Sequence, residues 1–277
     1  MLCFLGVKFM RLISFDPYRS MGIPGVEYIK PELFFAEQAK IEKADWVLFP
    51  EYWQVNALSY ALKKRIFPSL STYHLGHNKI EMTRAIQAVM PNNFPQTLIR
   101  PAKEEVWQEA KNLLGLPIIA KEVRSSCGRG IELLENISQY RSYISNREIA
   151  YLQEYLPLDR DLRVVVVGKE VLLSYWRINP GHLLHNVAQG GEISFEDIPQ
   201  DVVELVLQLA QKLNINHAGF DVGILDGQPY IWEFNVMFGN QGLLQQKVNV
   251  AEKIYQYLCP FDFDDPNLPD PLLPQAS

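Results

Sequence analysis

"GFDVGILDGQPYIWEFN", residues 219–235, alternates apolar and polar letters on either side of Asp226-Gly227. Period-two alternation interrupted by a turn pair is the signal of a β-hairpin. Strands over 219–225 and 229–235, joined by residues 226–228, set Leu225 opposite Pro229 and Asp221 opposite Glu233. In that register Phe220, Val222 and Ile224 share a face with Tyr230, Trp232 and Phe234. The other face collects Gly219, Asp221, Gly223, Ile231, Glu233 and Asn235. A two-residue connection would mix the two sets, so hydrophobic segregation selects the longer one. Asp221 and Glu233 then stand with Cβ atoms roughly 5 Å apart, with Asn235 next along the same face. Directly opposed carboxylates repel unless a cation sits between them. An oxygen-only ligand set of this kind suits Mg2+ or Mn2+, which keep waters and share their shell with nucleotide phosphates. The same alternation also describes the solvent-facing side of an edge hairpin.

Upstream, the chain reads as β-rich from residue 149: a strand in "IAYLQEYLP", then a hairpin in "LRVVVVGKEVLLSYWRI" turning at Gly168-Lys169. A helix over 201–213 carries Val202, Leu205, Val206, Leu209, Ala210 and Leu213 on one face. Residues 78–148 alternate helix, strand, helix and strand, with Gly115 stopping one helix and the loop "SSCGRG" separating strands in "PIIAKEV" and "IELL". The start alternates strand (10–15), a Gly- and Pro-rich loop, helix (31–43), strand (45–50), helix (54–64) and strand (65–70), a small parallel βαβαβ sheet. The expected division is a short α/β lobe over 1–75, a lobe with a glycine loop over 76–148, a third lobe with the metal site over 149–259, and a Pro- and Asp-rich tail over 260–277. Residues 1–9, ahead of Met10, read as an extension that adds little to the fold.

With 277 residues, 48% hydrophobic and 21% charged, the chain can bury a sizeable core. A formal net charge of −6 without a Lys/Arg-dense stripe argues against nucleic acid as a partner. Cys3, Cys127 and Cys259 are odd in number and far apart, so neither a disulfide framework nor a zinc site is expected. The apolar opening is too short to span a bilayer, and the cytoplasm is the expected location.

Set beside the hairpin, the order of motifs from about residue 78 to 250 resembles the ATP-grasp superfamily, within it the RimK-like and glutathione-synthetase-like carboxylate-amine ligases. That resemblance implies an α/β (α+β) ATP-grasp fold whose two lobes clamp ATP between antiparallel sheets. It makes Asp221, Glu233 and Asn235 the magnesium ligands. Lys79 and Lys121 match the family's phosphate lysines, and Ser126, Gly128 and Gly130 fall in its phosphate-covering loop, where glycine permits close backbone approach. Gln153, Glu154, Tyr155 and Leu156 occupy the position of the inter-lobe hinge that reads adenine. Asp161 matches a ribose-binding acid, and Asn186 the asparagine of the loop ahead of "GG". Arg163 would reach the phosphates and Arg177 the transferred phosphoryl group. An ordinary surface ion pair between Asp161 and Arg163 would account for those two letters equally. The sequence departs from the family at Leu184, where arginine is common and His182 and His185 lie nearby, and at residues 236–239, where "VMFG" replaces "SPG".

The implied activity is ATP-dependent joining of a small-molecule or peptide carboxylate to an amine through an acyl-phosphate. A nucleotide-binding regulator or scaffold of the same fold is the alternative. No membrane partner is expected, and a homo-oligomer is compatible with the sequence.

Overall fold

The computed structural model describes residues 10–123, 130–179 and 191–259. In chain order the strands are β1 (Leu12–Ser14), β2 (Val26–Tyr28), β3 (Trp46–Leu48), β4 (Arg65–Phe67), β5 (Thr97–Pro101), β6 (Ile118–Lys121) and β7 (Ile131–Leu134). They continue as β8 (Ile149–Glu154), β9 (Arg160–Val167), β10 (Glu170–Ile178), β11 (Glu192–Ser194), β12 (His217–Leu225) and β13 (Gln228–Asn235). The helices are α1 (Gln38–Ile41), α2 (Tyr52–Asn56), α3 (Leu70–His77), α4 (Lys79–Val89) and α5 (Val106–Leu114), then α6 (Ile137–Ile144), α7 (Gln200–Lys212), α8 (Gln241–Gln245) and α9 (Val250–Leu258). Among the described residues no helix is long and apolar enough to cross a membrane.

Three sheets organise these elements. The first is parallel, in the order β2-β1-β3-β4. Its strands β1 and β3 are buried at every position, as a parallel sheet covered on both faces requires. The segment expected to be a loop after β1 contains β2, and the helix expected over 31–43 is broken into a 3-10 turn (Pro31–Leu33) and the short α1. The second sheet is antiparallel, in the order β5-β8-β6-β7. The strand expected to open the third lobe, β8, therefore lies inside the second one, and the chain leaves that sheet only after Glu154. Trp107 of α5 stacks on Tyr140 of α6, ring centroids 5.3 Å apart, to cover one face of this sheet.

The third sheet, β11-β10-β9-β12-β13, is antiparallel and carries the core on both faces. The run "VVVV" shows why: Val164 and Val166 pack with α4 and α7, whereas Val165 and Val167 pack with Leu12, Trp46 and Phe67 of the first sheet and with α9. Gly76 on α3 lets that helix settle against Phe234 and Val236, because a Cβ there would collide with both side chains.

The hairpin β12–β13 differs from the expected connection. Its turn is the two-residue Asp226-Gly227, with φ of 51° and 80° at the two positions, the left-handed pair of a type I′ turn. Leu225 pairs with Gln228, Ile224 with Pro229, and Val222 with Ile231; the register then shifts, and Asp221 pairs with Glu233. A β-bulge at Trp232 thus restores the opposition of the carboxylates that a shorter turn alone would have lost. It also changes the core. Ile231 joins Phe220, Val222 and Phe234 in the buried cluster, while Trp232 lies over Gly223.

Candidate active site

Four strands build the site as one row. Tyr175 of β10 pairs with Arg163 of β9, Arg163 with Asp221 of β12, and Asp221 with Glu233 of β13. On β9 the residues of this face run Asp161, Arg163, Val165, Val167. Polarity gives way to valine where the first sheet begins to cover the third.

Each carboxylate in the row faces a cation. Asp221, buried, lies with Oδ1 2.6 Å from Arg163 Nε and 3.0 Å from Arg177 Nη2. Arg163 Nη2 donates to Asp221 Oδ2 at 3.3 Å. Asp221 Oδ1 and Arg163 Nε nonetheless have no hydrogen-bond partner, so their approach is an ion-pair contact alone. Asp161, also buried, holds Arg177 through two charge-assisted hydrogen bonds, Nε to Oδ1 at 2.6 Å and Nη2 to Oδ2 at 2.7 Å. The surface pair expected as an alternative between Asp161 and Arg163 does not occur: the side chains are buried, and Arg163 pairs across to Asp221 while Asp161 pairs across to Arg177. Strand register decides this, since cross-strand neighbours stand closer than residues i and i+2 on one strand.

Burial raises the Asp221 carboxyl above its ordinary value; Arg163 and Arg177 pull it back, and the charges of Asp161 and Glu233 add to the rise. Burial also works against the Arg177 cation, but Asp221 and Asp161 outweigh it and push its pKa up. Burial alone would lift Glu233 as well, yet Lys79, Lys121, the Asn235 amide and Arg163 hold it below the usual carboxylate range.

Glu233 Oε2 lies 3.5 Å from Lys79 Nζ at the first position of α4. Asn78 caps that helix, its Oδ1 accepting from Ile80 N at 2.9 Å. The Lys79 backbone N–H donates to Val123 O at 3.3 Å, which ties the start of α4 to the chain just beyond Lys121. Lys121 ends β6 but is not the solvated lysine that a strand end usually presents: only 5% of it is exposed. Burial pulls its pKa down to about 8, with Glu233 and Asp221 opposing and Lys79 adding to the fall. A lysine of the second sheet therefore faces the carboxylates of the third.

Asn235 Nδ2 reaches Asp221 Oδ2 at 3.3 Å and Glu233 Oε1 at 3.4 Å. The three side chains converge on one point, and one of them carries an unsatisfied buried oxygen. Turning the Asn235 amide by half a rotation presents its oxygen instead of its nitrogen. The result is an all-oxygen set of the kind a hard divalent cation takes. Among the described residues no group of three His, Cys, Asp or Glu side chains is placed to hold a metal.

The other expected positions divide. Gly130 has φ of 74°, and its carbonyl accepts from Glu122 N at 2.7 Å, closing the base of the loop expected to cover phosphate. Ser126, Gly128 and Asn186, with Leu184, His182 and His185, lie outside the described residues. Gln153 is buried and donates to Thr97 Oγ1 at 2.9 Å. Glu154 is turned back on its own sheet, Oε1 accepting from Gln96 N at 2.7 Å. Tyr155 and Leu156 follow, half-buried, where the chain passes between the sheets. Local reading missed Gly219, Thr83 and Tyr151. A Cβ at Gly219 would lie 2.6 Å from Arg163 Nη1 and 2.9 Å from Phe238 Cβ, so only glycine lets the guanidinium lie across β12. The buried hydroxyls of Thr83 and Tyr151, 2.6 Å apart, tie α4 to β8 beside the lysines. A glycine in a strand can hint at such a close approach; nothing in the sequence marks the Thr83–Tyr151 pair.

The profile of the RimK-like ATP-grasp domain matches residues 78–258. A coenzyme gamma-F420-2:alpha-L-glutamate ligase of Methanococcus maripaludis is 24% identical over 200 residues, 69% of this chain and 70% of that protein. An alpha-aminoadipate–LysW ligase of Saccharolobus solfataricus is 30% identical over 139 residues, 47% of this chain and 49% of its own length. Among solved structures, a RimK domain ATP-grasp protein of Sphaerobacter thermophilus superposes with a TM-score of 0.68 at 15% identity, covering 90% of this chain and 99% of that one. The D-alanine–D-alanine ligase of Bacillus anthracis complexed with ATP gives 0.64 at 14% identity, covering 90% and 94%. The profile spans well over half of the residues, and the chain belongs to the RimK-like ATP-grasp family of ATP-dependent ligases that form C–N bonds.

Proposed function

We propose that this protein binds ATP with Mg2+ in the cleft between its second and third sheets and joins a carboxylate to the amine of an amino acid. The observation that carries this reading is the cross-strand row Arg163–Asp221–Glu233, with Asn235 bridging both carboxylates and Lys121 facing them from the opposite sheet.

Asp221, Glu233 and Asn235 would hold the metal, which supplies charge neutralisation at the phosphates and a fixed template for them. With the metal bound, these carboxylates would face it in place of Lys79, Arg163 and Arg177, and those cations would be available to phosphate oxygens. Lys79 and Lys121 take the nucleotide phosphates. Arg163, held flat over Gly219, and Arg177, oriented by the two-pronged grip of Asp161, face the group in transit. Asp161 acts on this reading as the residue that positions Arg177 rather than as a free ribose ligand. Gln153, Tyr155 and Leu156, at the crossing between sheets, border the base.

A carboxylate oxygen attacks the γ-phosphorus and ADP leaves. The amine then attacks the acyl carbonyl, the amide forms, phosphate leaves with the former carboxylate oxygen, and the nitrogen gives up a proton. This chemistry rests on positioning and charge neutralisation and needs no protein nucleophile. The amino-acid acceptor is inferred from the relatives, whose names specify glutamate and alpha-aminoadipate.

The test incubates the purified protein with MgATP and pools of carboxylates and amino acids and follows ADP and phosphate. Release that requires both co-substrates supports ligation. Binding of MgATP with no turnover across the pools would leave a nucleotide-binding protein in its place.

A further inference from the structure

Two buried tyrosines connect the lysines that face the metal carboxylates. On β6 the side chains of Ile118 and Ala120 pack with α5 and α6, so alternation turns Lys121 to the other face, toward the cleft. Tyr143 of α6 belongs to the packing on the remote face and is 1% exposed. Its hydroxyl nevertheless reaches into the sheet between β6 and β8. It accepts from Tyr151 N at 3.1 Å and donates to Lys121 O at 2.9 Å, with Tyr151 O at 3.3 Å as a second acceptor. Lys121 and Tyr151 form the end pair of that ladder, beyond which the chain runs to Glu122 and the glycine loop.

The contacts continue in both directions. Behind Tyr143, Arg147 lies over its ring, Cζ 4.4 Å from the centroid, and donates to its carbonyl. Arg147 Nη2 also donates to Glu122 Oε1 at 3.0 Å and to Glu132 Oε1 at 3.3 Å, one on each side of the loop's base. Burial raises the Tyr143 hydroxyl above its ordinary range, the Tyr151 backbone and Arg147 pulling it back, so it keeps its proton and remains a donor. On the cleft face, Tyr151 Oη stands 2.6 Å from Thr83 Oγ1, and Thr83 lies one turn along α4 from Lys79. Lys121 is thus joined to the helix that begins at Lys79 through Tyr143, Tyr151 and Thr83.

Phenylalanine would fill the same core volume at position 143; what the hydroxyl adds is a fixed place for the Lys121 main chain. We propose that Tyr143 is a positioning residue for the phosphate site: from the remote face of the second sheet its hydroxyl locks Lys121 to Tyr151, and the Tyr151–Thr83 contact carries that position to Lys79. The spacing of the two ammonium groups across the nucleotide phosphates is then set by hydroxyls that touch no ligand. The proposal rests on the reading of Lys79 and Lys121 as phosphate ligands. Cations held at the right spacing bind without reorganising, which is where positioning enters affinity.

The experiment measures MgATP affinity by calorimetric titration in Tyr143→Phe, Lys121→Ala and the double variant. Tyr143→Phe should weaken MgATP by about fivefold or more, part of the loss expected when a hydrogen bond to a charged group is removed outright. In the Lys121→Ala background the same change should have little further effect, because the residue it positions is gone. Tyr140→Phe is the matched control: its hydroxyl, on the same helix and equally buried, donates to Lys103 O at 2.8 Å, away from the cleft. That variant should lose melting temperature and keep its MgATP affinity within about twofold. Thr83→Val, which breaks the other end of the connection, should also weaken MgATP, and it serves if Tyr143→Phe does not fold. Unchanged affinity in Tyr143→Phe or in Thr83→Val overturns the proposal, as does an equal loss in Tyr140→Phe or a double variant in which the two effects multiply. Lys121→Ala binding MgATP as the unaltered protein does removes instead the phosphate reading of Lys121, and this proposal with it.

Discussion

Replacing Asp221 by asparagine tests the electrostatic design of the site before any ligand is added. In the free protein Asp221 is the carboxylate that faces Arg163, whereas Arg177 keeps its two bonds to Asp161 when Asp221 is neutralised. Asp221→Asn thus strands one buried guanidinium. Removing one partner of a buried pair costs about 3–5 kcal/mol. The lower end applies because the upward pull of burial on the Asp221 carboxyl shows that its own ionisation is penalised, and that penalty disappears in the variant. We expect a loss of about 3 kcal/mol, which lowers Tm by about 6 °C or more. Arg163→Met in the same chain removes the stranded charge, and the double variant should regain at least half of the loss. Calorimetric melting without nucleotide measures both, and repeating it with MgATP should show that the stabilisation given by the nucleotide is gone. Asp221→Asn melting with the unaltered protein, or the double variant melting below the single one, would refute the reasoning.

Three further outcomes follow from the geometry. Glu233→Gln removes a charge that faces Lys79, Lys121 and Arg163 and accepts from the Asn235 amide, and should cost about 1–3 kcal/mol; calorimetric titration should also show its ATP affinity no longer rising with Mg2+. Lys121, with its pKa pulled to about 8 in the free protein, is charged below that pH and neutral above it, so MgATP affinity should fall as pH rises from 7.5 to 9.5, by up to about tenfold per unit. Its contribution to stability has the opposite slope, because burial penalises the charged lysine and the penalty is relieved between about 8 and the ordinary value of 10.5; Lys121→Arg should flatten both profiles, and a pH-independent affinity in the unaltered protein removes Lys121 from the phosphate site. Gly219→Ala places a methyl 2.6 Å from Arg163 Nη1 and 2.9 Å from Phe238 Cβ, an overpacking of about 1–3 kcal/mol; it should weaken MgATP binding through the displaced guanidinium, visible as a lower Tm and a smaller MgATP shift.

What the letters alone determined is local and periodic. Alternation around Asp226-Gly227 marks the hairpin and sets Asp221, Glu233 and Asn235 at its far end from the turn. The pairing of Asp221 with Glu233 holds even though the connection was read one residue too long: the type I′ turn and the bulge at Trp232 together reach the same opposition. Period also served for β9, β10 and α7. It failed for α3, α6, α8 and β11, short elements with little periodic signal.

Only the tertiary structure decided which charges meet. Asp161 and Arg163 stand two residues apart in the chain, yet each finds its partner on a different neighbouring strand, because the order β10-β9-β12-β13 sets Arg177 on one side of β9 and Asp221 on the other. Strand order is a property of the packed sheet, and no window of sequence contains it. The same holds for the burial of Lys121 against carboxylates of another sheet, and for Arg19, which gains its place through a hydrogen bond to Phe238, 219 residues away. Short-range periodicity fixes which face a side chain takes; the long-range assembly of sheets fixes what it finds there.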